Sequence, residues 1–444
     1  MTERPWAGRR LHFVGIGGAG MSGIALVAKA LGADVTGSDR AESSYLLELR
    51  AAGIDPVIGH DAANVPEGDE PELVYSTAVG PDNPERARAG ERGLAQLHRA
   101  DVLAEITALR PTIAITGTHG KTTTAAMAVH ALIGAGADPG YVVGGEVRST
   151  GANAGWGAGA WLVVEADESD RSMLKLHPAV ALVTNVELDH HATYASRLDL
   201  EEAFGAFLAL APQRIVWDRP ELVALAGQAA TTTFDAPDPE LRSDGVRFRW
   251  RERDVVLAVP GAHNALNAAA ALEACHAAGA DLDRAIAALA DFRGAGRRFE
   301  LLGTTPAGAT VYDDYAHHPT EFAATIAAAR TLRPSRLVAV FQPHLYSRTQ
   351  GLHREFGAAL AGADLVAVLD VYPARERAED FPGVDGRLVA AAAADAAHGR
   401  TVYWLPDFAT AEPVLRRLLR ERDLCLIMGA GDIDTLGRKL VAAG

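Results

Sequence analysis

Thr112-Ile-Ala-Ile-Thr-Gly-Thr-His-Gly-Lys-Thr-Thr-Thr124 is the stretch that decides the fold. An apolar run of strand length enters a glycine turn, and a helix is predicted from about residue 122. A strand feeding a helix through such a turn offers backbone amides and the positive helix end to phosphate oxygens. Gly117, Thr118, His119 and Gly120 form the cradle. Lys121 places a charge on the β- and γ-phosphates of ATP, Thr122 offers Mg²⁺ a hydroxyl, and Thr123 follows in the first helical turn. The general phosphate-loop pattern has a glycine where Ile115 stands, so this loop is shorter. An ordinary glycine-threonine turn is the alternative, but it gives Lys121 no task in a chain whose other lysines are Lys29, Lys175 and Lys439.

Around this unit, strands alternate with helices, which predicts an α/β protein with parallel, doubly wound sheets. Upstream, a strand at 11–14 enters a glycine-rich turn and a helical run through residue 31. Strand-like stretches recur near Val35 and Val57 and at 73–76. Downstream of the loop, strands are expected at 161–165 and 180–185, a hairpin-like alternation at 246–260, and alanine-rich helices at 264–278 and 283–291. The glycine-alanine stretch 151–160 reads as a loop. A third block, again parallel, has strands at 310–312, 337–341, 365–369, 402–405 and 425–428. The division predicted is 1–107, 108–296 and 297–444.

Composition sets the outer bounds. A length of 444 residues suits two to four domains, and a net charge of −15 argues against nonspecific binding to nucleic acid or to an anionic membrane. No apolar run reaches the ~20 residues of a membrane span, and the N-terminus has no apolar signal core, so a cytoplasmic location is expected. The two cysteines, Cys275 and Cys425, form no metal-site or disulfide pattern and read as small buried apolar residues.

A second glycine motif, Gly15-Ile-Gly-Gly-Ala-Gly-Met-Ser-Gly23, follows the first strand, and Asp39 ends the next one. This fits a nucleotide-diphosphate fingerprint with the acid on a ribose hydroxyl, without saying which nucleotide. Two phosphate loops in one chain suggest that one serves ATP and the other a second nucleotide that carries the acceptor. Glu165, in Val163-Val-Glu-Ala-Asp-Glu-Ser-Asp170, and His190, after the next strand, stand at strand ends where such sheets place ligands. Together they could hold Mg²⁺; a solvated loop histidine is the alternative for His190.

Taken together, these motifs resemble the Mur ligase family nearly end to end. The resemblance also rests on Gly261-Ala-His-Asn-Ala-Leu-Asn267, Gly294-Ala-Gly-Arg-Arg-Phe-Glu300, Asp313-Asp-Tyr-Ala-His-His-Pro319, Phe341-Gln-Pro-His-Leu-Tyr-Ser-Arg348 and Gly429-Ala-Gly-Asp432. It implies three domains: a Rossmann-like UDP-binding domain, a central P-loop ATPase-like domain and a Rossmann-like C-terminal domain. UDP-N-acetylmuramate would be bound by Gly15, Gly17, Gly18, Ala19, Gly20, Met21 and Ser22, with Ser38, Asp39, Ser76 and Thr77 nearby. ATP and Mg²⁺ would be held by Lys121, Thr122, Glu165 and His190, with Asn264 and Asn267 at the adenine. Arg298 and Asp314 would reach the nucleotide, and His344 and Arg348 would receive L-alanine. Leu345 stands where relatives often carry arginine, which leaves Arg348 as the main carboxylate partner. No lysine lies between 176 and 438, consistent with the alanine-adding branch, which lacks the carbamylated lysine of its relatives. A monomer or weak homodimer is expected.

The chemistry implied is an acyl phosphate, made when the sugar carboxylate attacks the γ-phosphorus and consumed when the amine of alanine attacks the acyl carbon. Bringing one carboxylate to about two phosphate charges at ~4 Å costs roughly 8 kcal/mol at an effective dielectric of ~20, so neutralisation is the main task. Rivals are a recycling ligase that attaches a preformed tripeptide, an NAD-dependent oxidoreductase and a nucleotide-switched binding protein. The last two leave one of the phosphate loops, or the C-terminal motifs, without a purpose.

Overall fold

A computed structural model describes residues 4–442 except Asp69, 190–192 and 228–229. The first sheet contains β1 (Arg10–Val14), β2 (Asp34–Asp39), β3 (Val57–Ile58), β4 (Glu72–Tyr75) and β5 (Gln96–His98), ordered β3-β2-β1-β4-β5 and parallel throughout. Val14 pairs with Ser38 on one side and Tyr75 on the other, so the loops after β1, β2 and β4 leave from one edge. That edge, where the strand order reverses, is where such sheets bind ligands.

The second sheet contains β6 (Thr112–Thr116), β7 (Gly140–Val147), β8 (Ala152–Trp156), β9 (Leu162–Glu165), β10 (Val180–Val183), β11 (Gln213–Trp217) and β12 (Ala230–Phe234). Its order is β12-β11-β10-β6-β9-β7-β8. Every residue of β6 is buried, as a central parallel strand covered on both faces requires. The stretch 151–160, expected to be a loop, instead supplies β8, antiparallel to β7 at the sheet edge. Its small residues suit close packing under the helix Ala19–Ala30. A Cβ on Gly23 would lie 3.3 Å from that of Ala154, and Asn153 Nδ2 donates to Ala19 O at 2.7 Å. The first two sheets thus share one hydrophobic core, running from Trp6 to Ala226.

A small sheet follows, β13 (Glu240–Arg242), β14 (Gly245–Trp250) and β15 (Arg253–Leu257), where the alternation predicted a hairpin. The third large sheet contains β16 (Glu300–Thr304), β17 (Thr310–Asp314), β18 (Arg336–Phe341), β19 (Leu365–Val368), β20 (Val402–Trp404) and β21 (Asp423–Met428), ordered β16-β17-β21-β18-β19-β20. It is parallel except for β16, which the sequence pattern missed and which pairs antiparallel at the edge. Cys275 and Cys425 are free thiols buried in apolar surroundings.

The chain forms two compact units. One runs to Pro237 and adds Trp250–Val255 and Leu266–Arg293; the other takes Asp238–Arg249, Val256–Ala265 and the described residues from Gly294 onward.

Candidate active site

In the first unit, the phosphate loop leaves β6 between the ends of β9 and β10. Ile115 pairs with Glu165 and Thr116 with Val183, so three strand ends converge. Gly117 has φ 139° and Gly120 has φ 83°. Side chains would not fit either: a Cβ on Gly117 would sit 2.0 Å from Thr184 Oγ1, and one on Gly120 2.5 Å from Asn267 Oδ1. The segment after β10 clamps the loop. His119 N donates to Asn185 Oδ1 at 2.9 Å, while Asn185 Nδ2 and Thr184 Oγ1 donate to His119 O at 2.9 and 2.6 Å. Thr118 Oγ1 donates to Glu187 O at 2.9 Å. The helix Lys121–Gly134 starts at Gly120 with no capping side chain and no acid in its first turn, so neither competes with an anion there.

Lys121 Nζ donates to Gly117 O at 2.7 Å, Thr118 O at 3.1 Å and Glu168 Oε1 at 2.9 Å. Burial disfavours its charge, but Glu168, Glu165 and Asp167 outweigh burial and hold its pKa above the ordinary 10.5. Thr122 Oγ1 donates to Glu165 Oε1 at 3.1 Å, and Glu165 Oε2 accepts from Gly144 N at 2.7 Å. A hydroxyl and a carboxylate meeting beside a phosphate cradle are the hard oxygen donors that Mg²⁺ takes. The charge balance agrees. Glu165, Asp167, Glu168 and Asp170 face Lys121 and Arg99, leaving two negative charges for a divalent ion. Burial works against the Asp167 carboxylate, yet Arg99 and Lys121 hold it well below the usual range. His190, expected beside Glu165, lies outside the described residues. Thr123 is half-buried in the first helical turn.

Asn267 lies at this loop. Its Oδ1 accepts from Thr124 Oγ1 at 3.3 Å and covers Gly120, so it supports the cradle as well as standing where an adenine contact was expected. Asn264, one turn earlier on the helix Ala262–Ala277, donates from Nδ2 to Pro260 O at 2.7 Å.

At the edge of the first sheet, Gly15 N and Ile16 N both donate to Ser38 O, at 2.8 and 3.0 Å. Asp39 Oδ2 accepts from Gly17 N at 2.8 Å and so grips the glycine loop itself. Gly18 caps the helix Ala19–Ala30, which carries Gly20 in its first turn. The side chains of Ser38, Met21 and Ser22, expected near the sugar nucleotide, are buried. Ser38 Oγ donates to Glu85 Oε1 at 2.7 Å, and Ser22 Oγ donates to Ala19 O at 3.1 Å. Ser76 is half-buried and Thr77 exposed just after β4, on the same edge.

Glu85, which sequence reading missed, is the hub beneath this loop. It accepts from Ser38, meets His12 Nε2 at 2.8 Å and His60 Nδ1 at 3.2 Å, and accepts from Asn64 Nδ2 at 3.0 Å. Burial would raise its pKa, but His12, Asn64 and Ser38 bring it down to about 2.

In the second unit, Asp314 ends β17, and its two oxygens accept from Phe299 N at 2.9 Å and Ala316 N at 2.7 Å. Burial pushes this carboxyl up to about 7 against the pull of Arg298. Arg298 Nη1 lies 3.8 Å from Glu321 Oε1. The His344 ring stacks on Tyr372 at 5.8 Å, and Arg348 is mostly buried in the first turn of the helix Tyr346–Leu360. Leu345, at φ 73°, is buried, so the position that departs from the family pattern contributes to packing.

Three family models match in series: "Mur ligase family, catalytic domain" over residues 10–110, "Mur ligase middle domain" over 115–275 and "Mur ligase, glutamate ligase domain" over 297–431. The UDP-N-acetylmuramate–L-alanine ligase of Acidithiobacillus ferrooxidans is 45% identical, with 98% of this chain and 97% of that protein covered. The crystal structure of the UDP-N-acetylmuramate–alanine ligase of Thermotoga maritima superposes with a TM-score of 0.82 at 30% identity, covering 97% of this chain and 98% of that one. A murein peptide ligase from Psychrobacter arcticus shares the fold, with a TM-score of 0.72 at 24% identity and 98% of each chain covered.

Proposed function

Since this chain belongs to the Mur ligase family, we propose that it joins L-alanine to the carboxylate of UDP-N-acetylmuramate, converting ATP to ADP and phosphate through an acyl phosphate, in peptidoglycan precursor synthesis. The observation that carries this reading is a phosphate loop with Lys121, Thr122 and Glu165 in place, in the same compact unit as a second glycine loop. One loop suits the nucleotide that is split, the other the nucleotide that carries the acceptor.

Lys121 would exchange its loop carbonyls and Glu168 for the β- and γ-phosphates of ATP, while the helix end at Gly120 takes phosphate oxygens. Thr122 and Glu165, with His190 as a further expected ligand, would hold Mg²⁺, which supplies charge neutralisation when bound. The loop 15–20 would take the pyrophosphate of the sugar nucleotide through its main chain. Asn264 and Asn267 would serve the adenine, and Arg298 and Asp314 the nucleotide. Arg348 would pair with the carboxylate of L-alanine, and His344 or a carboxylate would take the proton of its amine, which must be neutral to attack. Among the described residues, no helix is long and apolar enough to cross a membrane. A cytoplasmic enzyme, monomer or weak homodimer, is the expectation that the family resemblance carries.

Phosphate release tests the reading. It should require both UDP-N-acetylmuramate and L-alanine; release driven instead by a preformed tripeptide would reassign the chain to the recycling reaction. The 45% identity to an alanine ligase over nearly the whole chain favours alanine.

A further inference from the structure

Arg99 opens the helix Arg99–Thr107 after β5, and its largely buried guanidinium reaches two places in the first unit. Its Nη1 would lie 3.2 Å from a Cβ on Gly20, against the first turn of the helix that follows the glycine loop. Its Nη2 donates to Asp167 Oδ2 at 2.6 Å and to Asp170 Oδ2 at 3.1 Å. These carboxylates flank Glu168, the partner of Lys121.

Two carboxylates hold this cation beside a helix N-terminus. The helix Ala19–Ala30 presents its positive end here, with no capping side chain and no acid in its first turn. Asp167 and Asp170 offset the cost of burial and fix the fork of the guanidinium. An anion on the glycine loop would offer the guanidinium a further partner on the side away from Asp167 and Asp170. It would also need a cation between itself and the acidic segment 165–170, whose like charge would otherwise repel it.

We propose that Arg99 is a phosphate-binding residue for the sugar nucleotide, held in place by Asp167 and Asp170 and screening the pyrophosphate from the acids around the ATP loop. The inference rests on the glycine loop taking a UDP group, as read above.

The test is titration calorimetry of the full-length protein with uridine, UDP and UDP-N-acetylmuramate, in wild type and Arg99→Gln. Loss of a charged hydrogen-bond donor should weaken UDP and UDP-N-acetylmuramate binding roughly 10- to 100-fold while leaving uridine within about threefold. A structural role alone would weaken all three together. Arg99→Lys should recover part of the loss, and Asp170→Asn, which loosens the guanidinium, should show a smaller phosphate-specific loss. These two variants keep the test decisive should Arg99→Gln fold poorly. UDP affinity unchanged in Arg99→Gln, or weakened in step with uridine, overturns the proposal. Failure of the wild type to bind UDP-N-acetylmuramate would instead overturn the functional reading on which it rests.

Discussion

Replacing Lys121 by alanine breaks a buried ion pair and, on the proposed function, removes a catalytic cation; a second substitution separates the two effects. Glu168 is 1% exposed and Lys121 16% exposed, with Nζ 2.9 Å from Oε1. Breaking a buried pair by removing one partner costs about 3–5 kcal/mol; the residual exposure of Lys121 puts this case near the low end, about 3 kcal/mol. At about 2.1 cal/mol/K of unfolding entropy per residue, a unit of roughly 270 residues shifts by a little under 2 °C per kcal/mol, so the melting temperature should fall by about 5 °C. Adding Glu168→Gln removes the carboxylate left without its cation and should restore most of the stability. Turnover should not return, because loss of one well-placed transition-state donor costs about 10²–10³ in rate. Thermal unfolding followed by circular dichroism, with phosphate release measured on wild type, both single variants and the double variant, completes the cycle. The reasoning fails if Lys121→Ala keeps turnover within about fivefold of wild type, or if the double variant regains activity together with stability.

The glycines of the phosphate loop make a second prediction. Gly117→Ala, whose Cβ would fall 2.0 Å from Thr184 Oγ1, should abolish ATP turnover, whereas Gly151→Ala, with φ 70° and nothing within 4 Å, should cost only about 1–2 kcal/mol of backbone strain and leave turnover intact. Equal effects in phosphate release would reject a spatial requirement at residue 117. Asp314 makes a third, with a defined sign. Burial raises its pKa from 3.8 to about 7, so the folded state holds a proton that the unfolded state has lost between these values. Its contribution to stability is therefore complete below pH 3.8 and lost as pH rises through about 7. Asp314→Asn should flatten the decline in urea midpoint over that window, and an unchanged slope would show that this carboxyl is not buried as described.

Much of this architecture was legible because the central strands are continuous apolar runs: Thr112–Thr116, Arg336–Phe341 and Asp423–Met428 are flanked by parallel neighbours on both sides. The edges were not. Gln96–His98 is too short to show a period, and the small residues of β8 are there for the helix above them, which local patterning does not register. The candidate site divides the same way. Lys121, Thr122 and the glycines announce themselves because the chemistry of phosphate fixes their spacing. Asn185, Glu168, Arg99 and Glu85 act on the loops from a distance: 47 residues separate Lys121 from Glu168 and 71 separate Arg99 from Asp170. Their positions follow from which strands become neighbours, and that order is settled by the fold of the whole unit.

On the proposed function, the same neighbour order would prepare a chain of net charge −15 for two polyanions. Lys121 and Arg99 are not left to search for phosphate from solvent; each is held by carboxylates of one short segment, Glu168 for the first and Asp167 with Asp170 for the second. Ordering a long cationic side chain costs conformational entropy, and here that cost is met in folding, before any ligand arrives. The ligand then gains only the difference between a phosphate and a carboxylate partner. Weak anions gain little from such an exchange, while a triphosphate or a pyrophosphate, offering several oxygens to several donors at once, gains from each. Glu165 hydrogen-bonds a hydroxyl and a backbone amide, which leaves one of the segment's two excess negative charges beside Thr122, where a divalent ion would be drawn.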